Sequence, residues 1–180
     1  MSNMTQYFAP DAARVDLLLI KDMVAPNTRV LDIGCGAGEL ALALARQNPG
    51  AAVLGVDISQ DLIAVAQGRA ADLPNLDFIE ADAATWRDPA FAADLVVSRH
   101  GVMFFGDPPA AFANIRAGTA AGARLLFSCF RTPGENAWAA GLAEILGLPP
   151  AANPRGPGPF AFAEMAHVEA ILSAAGWRDI

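Results

Sequence analysis

The sequence predicts an α/β protein built on a doubly wound, mainly parallel sheet, and three observations carry that prediction. Short apolar runs alternate with helical patterns along most of the chain, the rhythm of strands joined by right-handed crossovers. The first run, Val30 to Ile33, feeds a turn with glycines at 34, 36 and 38 that opens a helix. Acids then stand at successive strand ends, at Asp32, Asp57 and Asp82. A chain of 180 residues suits one domain, 1–180, with residues 1–10 as a loose N-terminus and 131–160 as a lid-like insertion.

From Asp11 a helix is expected, with Val15, Leu18, Leu19 and Met23 on one stripe and Pro26 ending it; Tyr7 and Phe8 are the aromatic residues ahead of it. After the glycine turn, Leu40, Leu42 and Leu44 alternate with Ala as a strand would. Alanine's helix preference and the turn itself favour a helix to about Gln47. Ala52 to Val56 is the second strand, closed by Asp57. Ser59 caps a helix over Gln60–Ala71, with Leu62, Val65, Ala66 and Ala70 expected inward. Leu76 to Ile79 and Asp94 to Ser98 are the third and fourth strands. Asp107-Pro108 opens a helix with Pro at its first position, and Phe112 and Ile115 face in. Residues 117–122 form a turn before the fifth strand, Arg124 to Phe130. The rhythm then breaks. A short helix over Ala137–Leu146 leads into a Pro- and Gly-rich stretch long enough to be functional by length alone. A last helix from Ala163 turns Met165, Val168, Leu172 and Ala175 inward and stops at Gly176.

Composition narrows the functional classes. With 54% hydrophobic and 17% charged residues the chain reads as globular rather than disordered. Charged residues interrupt every long apolar run, so no membrane span is expected, and the polar start of the chain makes the cytoplasm the expected compartment. The net charge of −7 and singly scattered basic residues argue against a nucleic-acid groove and for a small-molecule substrate. Cys35 and Cys129 read as free core thiols, because no spacing supports a disulfide or a metal site.

The chemistry gathers at the strand ends, where a doubly wound sheet holds its ligand. Gly34, Gly36 and Gly38 let the chain turn sharply and leave no Cβ between backbone and ligand. The helix start behind them, with Cys35 in the same loop, offers unpaired N–H groups. Such a turn alone serves NAD, FAD, nucleotides and S-adenosylmethionine alike. Asp32 narrows the choice, since its carboxylate faces the same space and Glu39 adds a second charge that no Lys or Arg of the loop offsets. A pyrophosphate there is repelled, whereas a ligand carrying an ammonium and a sulfonium is attracted. The bland alternative is that Asp32 caps local N–H groups. Asp57 can accept hydrogen bonds from two ribose hydroxyls in either cofactor class. Asp82 can accept from an adenine amine, with Ile58 and Ala83 lining the base and Ser98 bordering the same hollow.

Residues 30–38, with Gly55-Val56-Asp57-Ile58-Ser59, Glu80-Ala81-Asp82-Ala83 and the stretch from Ser98 to Phe105, resemble the ordered motifs of class I S-adenosylmethionine-dependent methyltransferases. The resemblance spans residues 7–180 approximately and implies a Rossmann-like fold with strand order 3-2-1-4-5. It implies S-adenosyl-L-methionine as cofactor and methyl transfer to a small-molecule acceptor. Met103, Phe104, Phe105 and Trp138 are candidate walls for the reacting groups, with ordinary core as the alternative for Met103 and Phe105. His100 stands where relatives often carry an aromatic, and an imidazole of pKa about 6.5 can take the acceptor's proton. Its alternative role is a hydrogen bond within the loop. The acid pattern of metal-dependent relatives is missing, so no metal is expected. The alternatives are a nucleotide-dependent oxidoreductase and an inactive cofactor-binding module. The family's sixth and seventh strands have no counterpart after Ile180, so a short chain is expected, with an exposed fifth strand available for self-association.

Overall fold

The computed structural model describes residues 20, 23–147, 149 and 152–180. The helix expected from Asp11, and Tyr7 and Phe8 before it, lie outside the described residues. Five strands form one sheet: β1 Arg29–Ile33, β2 Ala52–Asp57, β3 Leu76–Glu80, β4 Ala93–Arg99 and β5 Thr119–Ser128. Their order is β3-β2-β1-β4-β5, with every neighbouring pair parallel. Sequence order therefore reverses between β1 and β4, and the crevice at that reversal is where such sheets bind ligands.

Side-chain alternation along the strands builds two cores. Val30, Val53, Leu95 and Val97 face α1 (Glu39–Gln47) and α2 (Gln60–Arg69). Leu31, Ile33, Leu54, Val56 and Val96 face the other way, beneath α3 (Pro108–Ala117) and α5 (Met165–Ala174). The fifth helix, α4 (Ala137–Leu146), lies in the segment that follows β5. Ser59 caps α2 through its hydroxyl, which accepts from Leu62 N at 3.4 Å, and Asp107 caps α3 by accepting from Ala110 N at 3.1 Å. Among the described residues no helix is long and apolar enough to cross a membrane.

Three expectations are corrected. In α2 the buried stripe is Ile63, Ala66 and Ala70, while Leu62 and Val65 are exposed. The reason is close packing: Ala66 lies 3.2 Å from where a Cβ on Gly38 would stand, so only a small residue can face that turn. In α5, Leu172 and Ala175 are buried, but Met165 starts the helix and is exposed. The fifth strand begins at Thr119, not Arg124, and ends at Ser128, before Phe130. Its pairing with β4 jumps from Ala93↔Thr119 to Leu95↔Arg124, so the expected turn is a bulge inside the strand, with Gly122 at φ +78°. Among the described residues β5 is one edge of the sheet and β3 the other, and no residue of β5 is fully buried.

At the reversal point the loops after β1 and β4 touch. A Cβ on Gly34 would stand 2.8 Å from Gly101 Cα, and one on Gly101 would stand 2.8 Å from Ile33 O and 2.9 Å from Gly34 Cα. Ser98, buried on β4, donates its hydroxyl to Ile33 O at 2.7 Å and accepts from Gly101 N at 3.2 Å. Gly101→Ala is therefore expected to destabilise the fold by about 1–3 kcal/mol, the usual scale of overpacking against backbone that cannot yield. A urea midpoint equal to wild type would show that the two loops separate without cost.

Candidate functional site

A cavity of about 320 Å³ opens at this junction, bounded by the ends of β1, β2 and β4 and the loop after β3. Gly34, Asp57, Ile58, Asp82, Ala83 and His100 line it, together with Arg99, Gly101, Phe104 and Phe105. The loop after β1 is bent back over β2, for Gly34 N and Cys35 N both donate to Val56 O, at 2.9 and 3.2 Å. Gly34, Gly36 and Gly38 all have φ between +56° and +86°. A Cβ on Gly36 would meet no atom within 4 Å, so its inner side is open, whereas one on Gly38 would strike the Phe78 ring at 2.7 Å. Gly36 leaves room beside the loop, and Gly38 lets the helix close down on the sheet.

Asp57 fixes that loop from the neighbouring strand. Its Oδ2 accepts from Gly36 N at 2.8 Å and its Oδ1 from Ser59 N at 2.9 Å. Each carboxylate oxygen keeps acceptor capacity toward the cavity. Asp82, exposed at the rim, accepts from Ala84 N at 2.9 Å through Oδ1, which sets its side chain in a local turn. Two residues expected at the ligand are placed otherwise. Ser98 spends its hydroxyl on the two backbone groups described above and does not line the cavity. Cys35 is buried in the core on the α1–α2 side, where burial pushes its thiol pKa up and Asp32 and Asp57 add to the shift.

Asp32 is 1% exposed, and its Oδ2 has no hydrogen-bond partner. Alternation along β1 turns it toward α1, where the Ala41 amide bonds the carboxyl. Burial raises its pKa from 3.8 to about 7; the Ala41 bond and the charge of Arg99 oppose the rise, and Asp57 and Glu39 add to it. Glu39 is not the uncompensated charge that the loop alone suggests. Arg69, from the end of α2, donates to Glu39 Oε1 at 3.0 Å and to Ala37 O at 2.7 Å, and Arg99 lies 3.8 Å from Glu39 Oε2. Partial burial pushes Glu39 up, but the Arg69 bond and both cations outweigh it and hold the carboxyl below its usual range. The carboxylates that remain unmatched are thus Asp32 and Asp57.

The other side of the cavity is aromatic. His100 stands at φ +65°, a conformation uncommon for a side chain other than glycine. Its ring stacks on Phe130 with centroids 4.3 Å apart. Phe130 meets the edge of Trp138 on α4 at 5.4 Å, and Trp138 stacks on Phe160 at 5.9 Å. Phe104 is exposed at the rim, Phe105 both lines the cavity and packs edge-on against Phe112, and Met103 is core. Gly158 N donates to Met103 O at 3.1 Å, which ties the stretch before Phe160 to the loop after β4. Phe130, Phe160 and Arg69 were not read from the sequence as site residues. No group of three or more side chains suited to hold a metal occurs among the described residues.

Residues 30–122 match the methyltransferase domain family. The chain is 37% identical over 126 residues to the demethylmenaquinone methyltransferase of Thermus thermophilus, covering 69% of this chain and 55% of that protein. It is 35% identical over 100 residues to the trans-aconitate 2-methyltransferase of Yersinia pestis, covering 56% of this chain and 37% of that one. In fold it superposes on the phosphoethanolamine N-methyltransferase 2 of Haemonchus contortus, solved with S-adenosyl-L-methionine, with a TM-score of 0.69 at 21% identity. That superposition covers 92% of this chain and 37% of the other. The chain therefore belongs to the S-adenosylmethionine-dependent methyltransferases of class I, and S-adenosylmethionine is the cofactor of that family. It spans about half the length of the first relative and less of the second.

Asp32 makes stability depend on pH in a defined direction. Its folded pKa lies above its unfolded value, so the protonated form's stabilisation is complete below about pH 4 and lost as pH rises through about 7. Relative to Asp32→Asn, the wild-type protein should lose stability across that window with a slope approaching 1.4 kcal/mol per pH unit, roughly the value for one proton. Urea unfolding of both proteins at pH 5, 6 and 7 measures the slope, and parallel pH profiles would remove the buried-acid assignment.

Proposed function

We propose that this chain binds S-adenosylmethionine in the cavity and transfers its methyl group to a small-molecule acceptor. The observation that carries the reading is the buried Asp32, with an oxygen that nothing in the described protein pairs, behind a glycine turn whose inner side is open. Burying an unpaired carboxylate is costly, and a cationic ligand in the turn offsets that cost. A pyrophosphate would instead meet Asp32 and Asp57, while Arg69 and Arg99 are engaged by Glu39. The residues present fit the cofactor: Asp57 toward the ribose hydroxyls, Asp82 with Ile58 and Ala83 toward the adenine, and the open side of Gly36 toward the amino-acid end.

When bound, the cofactor supplies a methyl group on a sulfonium, open to in-line displacement. The chain's own residues hold the two reactants and keep water out, and positioning of this kind lowers a barrier by about 7–11 kcal/mol in favourable cases. Phe104 and Phe105 wall the cavity between the nucleoside side and His100. His100 takes the proton that a hydroxyl, phenol or amine acceptor releases. Trp138 and Phe160, with the Gly158 bond to Met103 O, bring the described part of the segment after β5 to this side, as a lid requires. The two relatives named above bear the names of different acceptors, demethylmenaquinone and trans-aconitate, so likeness to them does not choose one. The lining sets Asp57 and Asp82 against Arg99, which disfavours an acceptor with several negative charges.

Isothermal titration with S-adenosylhomocysteine and with NADH separates this reading from a nucleotide-dependent oxidoreductase. Tight NADH binding without a response to S-adenosylhomocysteine would overturn it. Asp57→Ala should weaken S-adenosylhomocysteine by about 1.5–3 kcal/mol, the scale of hydrogen bonds to a charged acceptor, and unchanged affinity would remove the ribose assignment. For His100→Gln, binding of S-adenosylhomocysteine should persist while turnover with a hydroxylated acceptor falls by about 10²-fold or more. Equal turnover would return His100 to a purely structural role.

A further inference from the structure

On the reading that the acceptor is held beside His100, we propose that the acceptor carries an extended, uncharged apolar tail that lies along the outer face of α4. The helix has the sequence AWAAGLAEIL, apolar apart from Glu144, yet among its described residues Ala139 is the one that is buried. Trp138, Leu142 and Ile145 are 53%, 48% and 83% exposed, and Leu146 is exposed beside them. Positions 138, 142 and 145 follow the i, i+4, i+7 spacing of one helix face, so the exposed groups form a single stripe about 10 Å long. Isolated exposed apolar residues need no explanation, but a contiguous stripe marks a surface that is covered in use.

What covers it is indicated by where the stripe begins. Trp138 is both its first residue and a member of the aromatic series His100–Phe130–Trp138, whose centroids are 4.3 and 5.4 Å apart. His100 lines the cavity, so the ring contacts run from the cavity lining to the first residue of the stripe on α4. A bilayer is a poorer occupant, because the helix offers no Lys or Arg and the whole chain carries −7. The start of the helix is ordered locally, and Trp138 joins it to Phe130 and Phe160 through ring contacts at 5.4 and 5.9 Å. Asn136 Nδ2 donates to Arg131 O at 2.9 Å and Thr132 O at 2.8 Å just before α4, and Thr132 and Glu135 bond each other reciprocally. A tail reaching from the cavity thus meets a preformed surface.

The test uses the full chain, equilibrium dialysis, and 4-ethylphenol, 4-pentylphenol and 4-nonylphenol below their aggregation limits. In wild type the affinity should rise by about 2- to 4-fold per added methylene, the range for half to full burial of each. In the Leu142→Ser/Ile145→Ser double variant the ethyl compound should bind as in wild type and the rise with chain length should flatten. Both side chains are exposed, so the fold should survive, and an unchanged urea midpoint confirms that. A flat wild-type series, or equal slopes in the two proteins, would overturn the proposal. So would a wild-type dimer in light scattering that the double variant dissolves, which assigns the stripe to a second copy. Flotation with phosphatidylcholine vesicles that is lost in the variant would likewise assign it to a membrane. Titration with S-adenosylhomocysteine is read separately: its failure removes the cofactor assignment, whereas the chain-length slopes decide the tail surface.

Discussion

The site depends on the contact between the turn after β1 and the turn after β4. Parallel strands leave their ends splayed, and the crevice at the reversal of strand order exists in any sheet of this topology. What gives it a fixed shape here is that two glycines meet with no Cβ between them, at Gly34 and Gly101. A buried hydroxyl, Ser98, then bonds one backbone group from each side. Most residues lining the cavity lie within a few positions of that contact or of the Asp57 bond to Gly36, and the loop after β3 joins them through Ala81 N, which donates to Asp57 O at 2.9 Å. Backbone groups bound in this way cannot drift apart singly, so the cavity is present before any ligand arrives.

That rigidity is bought with an electrostatic penalty. Asp32 lies on the strand that the contact immobilises, its Oδ2 is left unpaired, and the two arginines within reach of the loop are drawn to Glu39. The arrangement keeps the loop's rim near neutral while its floor holds a buried acid that titrates near neutrality.

Much of this was legible in the sequence because the signals are local. Five strands, the glycine turn, the Ser59 and Asp107 caps and the span of α4 each follow from residue types within a few positions of one another. What escaped is what folding brings from afar. Arg69 and Arg99 reach Glu39 from 30 and 60 positions away, so the loop's own composition overstated its charge. Ser98 was read as facing the ligand because it ends a strand there, but its hydroxyl is claimed by Ile33 O across the sheet. Leu62 and Val65 fit an inward stripe on periodicity, yet the tight approach at Gly38 and Phe78 sets the helix's rotation and turns them out. The bulge after Thr119 had no local signal beyond Gly122. Stacking of His100 on Phe130 likewise joins positions that no short-range pattern connects.

The division between what family membership conveys and what it does not falls along the same line. The match to the methyltransferase domain ends at residue 122, and Phe130, Trp138 and Phe160 all lie beyond it. Those three form a ring cluster that reaches the cavity through His100, which stacks on Phe130 and lines the cavity with Asp57 and Asp82. The glycine turn, Asp57 and Asp82 lie within the shared region, where relatives named for unlike acceptors still resemble this chain. The ring cluster comes from the segment after β5, a part of the chain that lies beyond the matched domain. A sheet that fixes one half of the site rigidly can host different acceptors by varying the other half, since the reacting groups need only be held against a methyl donor already in position. In this chain the ring cluster of that segment meets the cavity at His100 and continues to Trp138 on α4, the helix whose outer face is apolar and exposed.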